Sequence, residues 1–237
     1  QTVAGLREQG QAAFMPFLVI GDPDIETSHA LVDALIDAGA DILEFGFPFS
    51  DPPADGPVIQ AADKRAIDAG VTPDVAFEFL DAVHARHGVP VALLMYYNLI
   101  LQYGVKEFYA RAKRAGVDAV LVADVPIEES EDCVQAARAA GIAPVFIATP
   151  LTSEARLAAI NDLSGGYLYA VTRVGITGEQ ADLAAGLARE LSRYKAAVAL
   201  PVLAGFGISS PEHVRDALTA GADGVICGSA LIRRVQD

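Results

Sequence analysis

The stretch AGADILEFG, residues 38–46, passes from the end of a helical pattern into a short apolar run. Its opening phrase returns three times, as AGVD at 115–118, AGIA at 140–143 and AGAD at 220–223. Glycine just past a helix readily adopts the left-handed conformation that ends the helix, and the short apolar run after it is typical of a parallel strand covered on both faces. The phrase therefore predicts a recurring helix-to-strand junction.

Eight short apolar runs alternate with helical patterns when the chain is followed outward from these junctions. Helix starts are marked at Thr72-Pro73 and Ser210-Pro211, where a hydroxyl can cap the helix and proline fits its first turn. Eight alternating units favour an α/β fold, a single (β/α)8 TIM barrel with extra short helices, over an open doubly wound sheet. The open sheet usually carries an early dinucleotide-binding turn, and no G-x-G-x-x-G follows the first run. The predicted strands cover residues 14–20, 41–46, 90–95, 118–123, 143–148, 166–171, 201–205 and 223–227.

Chain length and composition predict one large core. We expect residues 1–237 to form a single domain, because 52% of them are hydrophobic and no stretch resembles a linker. Residues 229–237 are marginal as a closing helix, so we expect the C-terminal helix to be truncated. Cys133 and Cys227 lack metal or redox spacing and are predicted to be buried as small hydrophobic residues.

The charge balance excludes some partners. A formal net charge of −14 argues against nucleic acid and against an anionic membrane surface, since both attract basic patches. No apolar run reaches the roughly 18 residues of a membrane span, and the N-terminal residues do not resemble an export signal. We therefore expect a cytoplasmic protein.

Two carboxylates are the candidate reacting groups. Glu44 lies in the apolar strand of the opening stretch and Asp55 in the Pro/Gly-rich loop beyond it. Strand alternation puts Glu44 on one face with Ile42 and Gly46, away from Phe45. A carboxyl group that is desolvated there has a raised pKa and can exchange protons near neutral pH.

The lysines and histidines of the chain fall in helical patterns. This holds for all four lysines, so no amine stands at a strand end to form a Schiff base. It holds as well for all four histidines. His84 and His87 are spaced to clamp a metal, but near a helix end they are more typical of a surface, and we predict no metal site.

Residues near strand ends and in the following loops indicate a ligand with a ring and a phosphate. The glycine-containing loops 205–210 and 228–230 precede helix starts, which favours a phosphate site over two simple turns. Residues 172–182 are either a lid over the ligand or a solvated connector. A flat apolar pocket, whose members could equally be core residues, is predicted from Phe17, Leu94, Leu121, Ile147, Tyr169 and Phe206.

From about residue 14 to residue 229 the chain resembles the α subunit of tryptophan synthase. The most specific motif is LEFGFPFSDPPADGPVIQ, residues 43–60, which is close to the family signature L-E-L-G-x-P-F-S-D-P-x-A-D-G-P-x-I-Q. Further similar stretches are VLVADVP at 120–126, GITG at 175–178 and GFGISS at 205–210.

The resemblance implies retro-aldol cleavage of indole-3-glycerol phosphate to indole and glyceraldehyde 3-phosphate. It implies that Glu44 is the acid and base, that Asp55 binds the ring N–H, and that Thr177 hydrogen-bonds Asp55 when the lid closes. Tyr169 would lie beside Glu44. The phosphate would be held by Gly178, Gly207, Gly228 and Ser229.

The resemblance also implies a partner. No cofactor is expected in this chain, and indole would pass to a β subunit that carries pyridoxal phosphate in an α2β2 complex. A stand-alone lyase that releases free indole is the enzymatic alternative, and a non-catalytic activator of a β subunit is the alternative from another class. The implied docking surface comprises Pro48, Asp51, Pro52, Asn98 and Asp124.

Overall fold

A computed structural model describes residues 2–171, 180–205 and 207–236 of the chain. Eight parallel strands form a closed barrel in chain order, with the first strand paired to the last. The predicted TIM barrel is therefore confirmed. The strands are β1 (Ala13–Val19), β2 (Leu43–Gly46), β3 (Val91–Met95), β4 (Val117–Val122), β5 (Ala143–Ala148), β6 (Leu168–Val171), β7 (Val202–Gly205) and β8 (Gly224–Cys227).

Helices surround the barrel. Two helices in succession follow β2 and two follow β3, and a short helix precedes β1. A 3-10 turn, Ile127–Glu129, follows β4. The helices of the described residues are α1 (Thr2–Glu8), α2 (Ile25–Asp37), α3 (Pro57–Asp68), α4 (Pro73–Arg86), α5 (Tyr97–Tyr103), α6 (Val105–Arg114), α7 (Glu131–Ala140), α8 (Glu154–Leu163), α9 (Gln180–Ala197), α10 (Pro211–Thr219) and α11 (Ser229–Gln236).

The repeated phrase forms the predicted junction at all four places. Gly39, Gly116, Gly141 and Gly221 each have a positive φ, between 72° and 104°, just after a helix. Only glycine adopts this conformation at little cost, so it ends α2, α6, α7 and α10 before the next strand. The predicted helix caps are confirmed as well, since the hydroxyls of Thr72 and Ser210 accept backbone hydrogen bonds at the starts of α4 and α10.

The aspartates of the phrase join neighbouring strands at the N-terminal end of the barrel. Asp41 accepts a hydrogen bond from the backbone N–H of Phe14 at 2.9 Å. Asp118 accepts one from Val91 in the same way. Asp223 accepts one from Val202 and also pairs with Lys195, whose Nζ lies 2.9 Å away. Each aspartate thus supplies an acceptor for the N–H of the strand before its own.

Alternation along β2 separates the barrel interior from the layer between strands and helices. Ile42 packs in the interior cluster with Leu121 and Tyr169. Phe45 packs in the outer cluster against helix residues. Glu44 therefore has the predicted orientation, with its side chain on the interior side.

The predicted strand limits differ from the observed ones by no more than two residues. β6 begins at Leu168 instead of 166, because Gly166 has a φ of 69° and belongs to a turn. β2 begins at Leu43 instead of 41, although the backbone N–H of Asp41 already donates to the carbonyl of Phe14.

The prediction for His87 was wrong, and the other helical assignments hold. His87 lies just beyond α4 with extended backbone, and its Nε2 lies 2.9 Å from Asp33. His84 lies in α4 and is exposed. Cys133 and Cys227 are buried free thiols, as predicted. Among the helices of the described ranges, none combines the length and apolar character that a membrane span requires.

Candidate active site

Glu44 is the most deeply buried carboxyl group near the C-terminal end of the barrel. It lies in β2 and is 1% exposed. The hydroxyl of Tyr167, just before β6 on the opposite side of the barrel, lies 3.4 Å from Oε1 and donates to it, whereas Oε2 has no hydrogen-bond partner among the described residues. Desolvation raises the pKa of Glu44 to about 8, against a smaller opposing effect of the Tyr167 hydrogen bond. The carboxyl group therefore holds its proton at neutral pH and loses it only about one pH unit higher.

Asp55 is positioned by an aromatic hydroxyl. It is half-buried in the loop between β2 and α3. Tyr96, just past β3, donates its hydroxyl hydrogen to Asp55 Oδ2 at 2.7 Å and accepts a hydrogen bond from the N–H of Ala54 at 3.3 Å. Burial raises the pKa of Asp55, and the Tyr96 hydrogen bond opposes that rise by favouring the ionised form. Asp55 is thus a fixed hydrogen-bond acceptor at the rim of the barrel.

The hydroxyl group of Tyr169 is affected by the charges of both carboxyl groups. It is buried, and its pKa is raised first by burial and then by the negative charges of Glu44 and Asp55. The charges of both carboxyl groups thus disfavour ionisation of this one hydroxyl group. The ring packs on the backbone of Gly205, where a Cβ atom would come within 2.4 Å of it. Glycine at 205 therefore leaves room for the tyrosine beside the carboxyl groups.

Most of the predicted pocket residues come together. Leu94, Leu121, Ile147 and Tyr169 belong to one interior cluster or pack against it. Phe17 lies on β1 beside Glu44 of β2, and its ring occupies the space next to the backbone of Gly46 and Gly228. Phe206 lies outside the described residues.

The described part of the predicted phosphate site adjoins this pocket. Gly207 is exposed with a φ of 83°, and Gly228 directly precedes α11, whose first residue is Ser229. The N-terminus of a helix carries a partial positive charge that favours an anion. Because a Cβ atom on Gly228 would lie 3.3 Å from the Phe17 ring, the anion site and the ring pocket are neighbours. Thr177 and Gly178 lie outside the described residues.

Three residues of the site did not emerge from the sequence. Tyr167 lies two positions before Tyr169, so strand alternation carries a signal for its inward orientation. Tyr96 directly follows β3, where barrel sites are built. Asp63 lies on the face of α3 that carries Ile59, Ala62 and Ala66, so helical periodicity carries a signal for its burial.

The residues of the implied docking surface lie in the loops after β2, β3 and β4. Asp51, Asn98 and Asp124 are exposed, Pro48 is half-buried and Pro52 is buried. The backbone N–H of Tyr97 donates to Asp124 Oδ1 at 2.8 Å, which ties the β3 and β4 loops together.

The described residues contain no cluster of metal ligands. Within residues 2–171, 180–205 and 207–236, no group of three or more His, Cys, Asp or Glu side chains is arranged to hold a metal ion.

Comparison with known proteins decides the family. The family model described as tryptophan synthase alpha chain matches residues 3–237. The tryptophan synthase alpha chain of Shewanella amazonensis is 50% identical over 236 residues, which cover 98% of this chain and 88% of that relative. The chain belongs to the tryptophan synthase alpha chain family.

Solved structures of the tryptophan synthase alpha chain family share the fold. The crystal structure of subunit alpha from Legionella pneumophila has a TM-score of 0.90 and 34% identity, with 98% of this chain and 86% of that chain covered. A structure described for mutual activation of the a2b2 complex from Pyrococcus furiosus has a TM-score of 0.84 and 36% identity, with 94% and 89% covered.

Proposed function

We propose that this chain is the alpha subunit of a tryptophan synthase and cleaves indole-3-glycerol phosphate to indole and glyceraldehyde 3-phosphate. The observation that supports the proposal is a pair of different carboxyl groups: Glu44, which is buried and holds a proton, and Asp55, which Tyr96 holds as a fixed acceptor. Residues 1–237 are proposed to act as one domain in the cytoplasm, where amino-acid biosynthesis takes place.

The reaction begins with proton transfer from Glu44. Its neutral carboxyl group donates a proton to C3 of the indole ring, which places a positive charge on the ring nitrogen. Asp55 accepts the hydrogen bond of that N–H and stabilises the charge, because a fixed anion in a water-poor site interacts strongly with a developing cation. Tyr96 keeps Asp55 in place for this role.

Cleavage completes the proton cycle. The Glu44 carboxylate removes the proton from the hydroxyl group on the glycerol carbon attached to the ring. A carbonyl group forms there, the bond between that carbon and C3 breaks, and its electron pair returns to the indole ring. Glu44 ends the cycle protonated, so the reaction requires neither an oxidant nor a reductant.

Other residues bind the two ends of the substrate. The ring lies among the apolar residues already described, and the phosphate lies at Gly207, Gly228 and Ser229, where α11 begins. Phe206, Thr177 and Gly178 complete the proposed site. Thr177 is proposed to bond to Asp55 when the loop after β6 covers the ligand.

The proposed partner is a β subunit in an α2β2 complex. The Pyrococcus furiosus relative forms such a complex, which supports this part of the proposal. The partner would hold pyridoxal phosphate, and this chain would hold no cofactor because acid–base chemistry is sufficient for the cleavage. The β subunit would dock on Pro48, Asp51, Pro52, Asn98 and Asp124.

The test is release of indole from indole-3-glycerol phosphate by the purified chain, with and without the β subunit of a tryptophan synthase. We expect slow release by the chain alone and faster release on mixing. Fast release that the β subunit does not change would favour a stand-alone lyase. No release in either case, together with activation of the β subunit, would show a non-catalytic activator and overturn the proposal.

A further inference from the structure

His213 is a side chain that the proposed reaction does not use, and it contacts the loop after β7. It lies in the first turn of α10, where its backbone N–H donates to the capping hydroxyl of Ser210 at 3.2 Å. Its ring nitrogen Nδ1 lies 3.0 Å from the carbonyl oxygen of Gly207 and 3.2 Å from the hydroxyl oxygen of Ser209. The side chain therefore joins both ends of the segment 207–209 to the helix.

The contact with Gly207 indicates which ring nitrogen carries a hydrogen. A carbonyl oxygen can only accept, so Nδ1 of His213 is the donor in that contact. The backbone N–H of Ser209 lies 3.4 Å from the same nitrogen and could donate only to an Nδ1 without a hydrogen. The shorter distance favours the bond to Gly207. We therefore assign a hydrogen to Nδ1.

The next carbonyl group of the loop is bonded to β8. The Sγ atom of Cys227, the last residue of β8, lies 3.3 Å from the carbonyl oxygen of Ile208 and donates to it. Both residues are buried. Two successive carbonyl groups of the loop, those of Gly207 and Ile208, thus have donors within the protein.

The N–H group of Ile208 belongs to the same peptide unit as the carbonyl group of Gly207. This peptide bond is trans, so the N–H and the carbonyl oxygen have opposite directions, and the N–H is directed away from His213. Among the described residues, the Ile208 N–H has no hydrogen-bond partner. Such an N–H group in a buried residue is uncommon and can bind an anion.

Gly207 makes the orientation of this peptide unit easy to lose. Its φ is 83°, and glycine moves between such conformations at little cost. Rotation of the peptide unit would exchange the positions of the N–H and the carbonyl oxygen. An oxygen in place of the N–H would repel an anion. The hydrogen bond from His213 opposes this rotation, because it holds the carbonyl oxygen beside α10.

We propose that His213 is a positioning residue for the substrate phosphate: its Nδ1–H holds the Gly207 carbonyl group beside α10, so that the Ile208 N–H is directed to the phosphate. The inference rests on the proposed function, because it takes Gly207, Gly228 and Ser229 as the phosphate site. A residue that only stabilised α10 would not distinguish ligands with a phosphate from ligands without one.

The experiment uses two ligands that separate the ends of the substrate. Glycerol 3-phosphate carries the phosphate without the ring, and indole carries the ring without the phosphate. Isothermal titration calorimetry measures the dissociation constant of each ligand for the full-length unsubstituted chain, His213→Ala, His213→Asn and Thr219→Ala. Asparagine keeps an N–H donor near the position of Nδ1 but cannot carry a positive charge. Thr219→Ala is the matched control, because it changes an exposed residue at the other end of α10.

The expected loss is confined to the phosphate. In His213→Ala the dissociation constant of glycerol 3-phosphate should rise at least about fivefold, whereas that of indole should stay within about twofold. His213→Asn and Thr219→Ala should bind both ligands within about twofold of the unsubstituted chain. In steady-state indole release, His213→Ala should raise KM for indole-3-glycerol phosphate by about fivefold with little change in kcat.

Nitrogen-15 NMR tests the same contact without a substitution that affects binding. The ring signals of His213, assigned by their loss in His213→Asn, should show a hydrogen on Nδ1 of the unsubstituted chain. A neutral ring with its hydrogen on Nε2 alone would overturn the proposal, even if His213→Ala fails to fold.

Three binding results would also overturn the proposal. One is an unchanged affinity of His213→Ala for glycerol 3-phosphate, and another is an equal loss for both ligands. The third is His213→Asn binding as weakly as His213→Ala, since the charge of the ring would then cause the effect. An unsubstituted chain that binds indole but not glycerol 3-phosphate refutes the phosphate site, and one that binds neither refutes the proposed function. The inference fails in both cases.

Discussion

Carboxylates at the two ends of the barrel differ in how their oxygen atoms are hydrogen-bonded. At the N-terminal end, Asp41, Asp118 and Asp223 each accept a backbone N–H from the neighbouring strand. At the C-terminal end, Glu44 has one oxygen without a partner among the described residues and a 3.4 Å contact to the other. Each of the three aspartates thus has an oxygen bonded to a strand N–H, whereas Glu44 has a buried oxygen without such a partner.

The difference in hydrogen bonding indicates that the aspartates at the N-terminal end stabilise the fold, whereas Glu44 is suited to proton transfer. A carboxylate that accepts a strand N–H stabilises the junction between two strands, because a strand N–H that loses its hydrogen-bond partner is costly. A desolvated carboxyl group with an open oxygen is unfavourable for folding in its ionised form and can transfer a proton. Substitutions at the two ends should therefore have opposite effects on stability and turnover.

The largest effect on turnover is expected for Glu44→Gln. Glutamine keeps the shape of the neutral acid but cannot transfer a proton, so indole release at saturating substrate should fall by about 10³-fold or more. Substrate binding should be largely retained. Turnover like that of the unsubstituted chain would remove Glu44 from the mechanism.

Protein stability supplies the control for Glu44→Gln. The folded pKa of Glu44 is raised, so the stability that this group contributes is complete below the unfolded pKa and is lost as pH rises through about 8. Glutamine does not ionise. In urea denaturation at about pH 8, the variant should therefore be at least as stable as the unsubstituted chain.

A smaller loss is expected for Asp55→Asn. Asparagine can accept the ring N–H but carries no charge, so kcat/KM for cleavage should fall by at least ~10²-fold. The exposed Asp68→Asn, which removes a charge without touching the pocket, is the control. A loss below about threefold would show that the charge of Asp55 has no part in the reaction.

Tyr96→Phe tests the support of Asp55. The substitution removes the hydroxyl bonded to Asp55 and Ala54 and leaves the ring that stacks on Phe49. Loss of one hydrogen bond to a half-buried charge should lower kcat/KM by about 10-fold, as measured by steady-state indole release. An unchanged kcat/KM would mean that the loop holds Asp55 without the hydroxyl.

The smallest effect on turnover is expected at the opposite end of the barrel. Asp223→Ala removes the acceptor of the Val202 N–H and the partner of Lys195, so the free energy of unfolding should fall by about 2–3 kcal/mol in urea denaturation. Turnover per folded molecule should stay within about twofold. A large loss of turnover without a loss of stability would show that carboxylates at the N-terminal end also take part in the reaction.

Local rules were sufficient to predict most of the fold. Glycine after a helix, a capping hydroxyl and alternation along a strand each depend on near neighbours in the chain, and they located the four junctions, two helix starts and the orientation of Glu44. The same alternation applies to Tyr167, two positions before Tyr169.

Long-range packing determines what the sequence did not reveal. The Tyr96 hydroxyl lies next to Asp55 because β3 is the neighbour of β2 in the barrel. The strand limit at Gly166 was missed because a turn replaces strand pairing there. No periodicity within a single helix or strand reports such contacts.

The proposed reaction requires Glu44 to face the barrel interior as a desolvated acid that exchanges its proton near neutral pH. The most direct test is a carbon-13 NMR titration of its side-chain carboxyl carbon, with the signal assigned by its loss in Glu44→Gln. We expect a midpoint at about pH 8, with the neutral acid below it and the carboxylate above it. A midpoint close to the ordinary value of 4.5 would show that Glu44 is already ionised at neutral pH and cannot supply the proton.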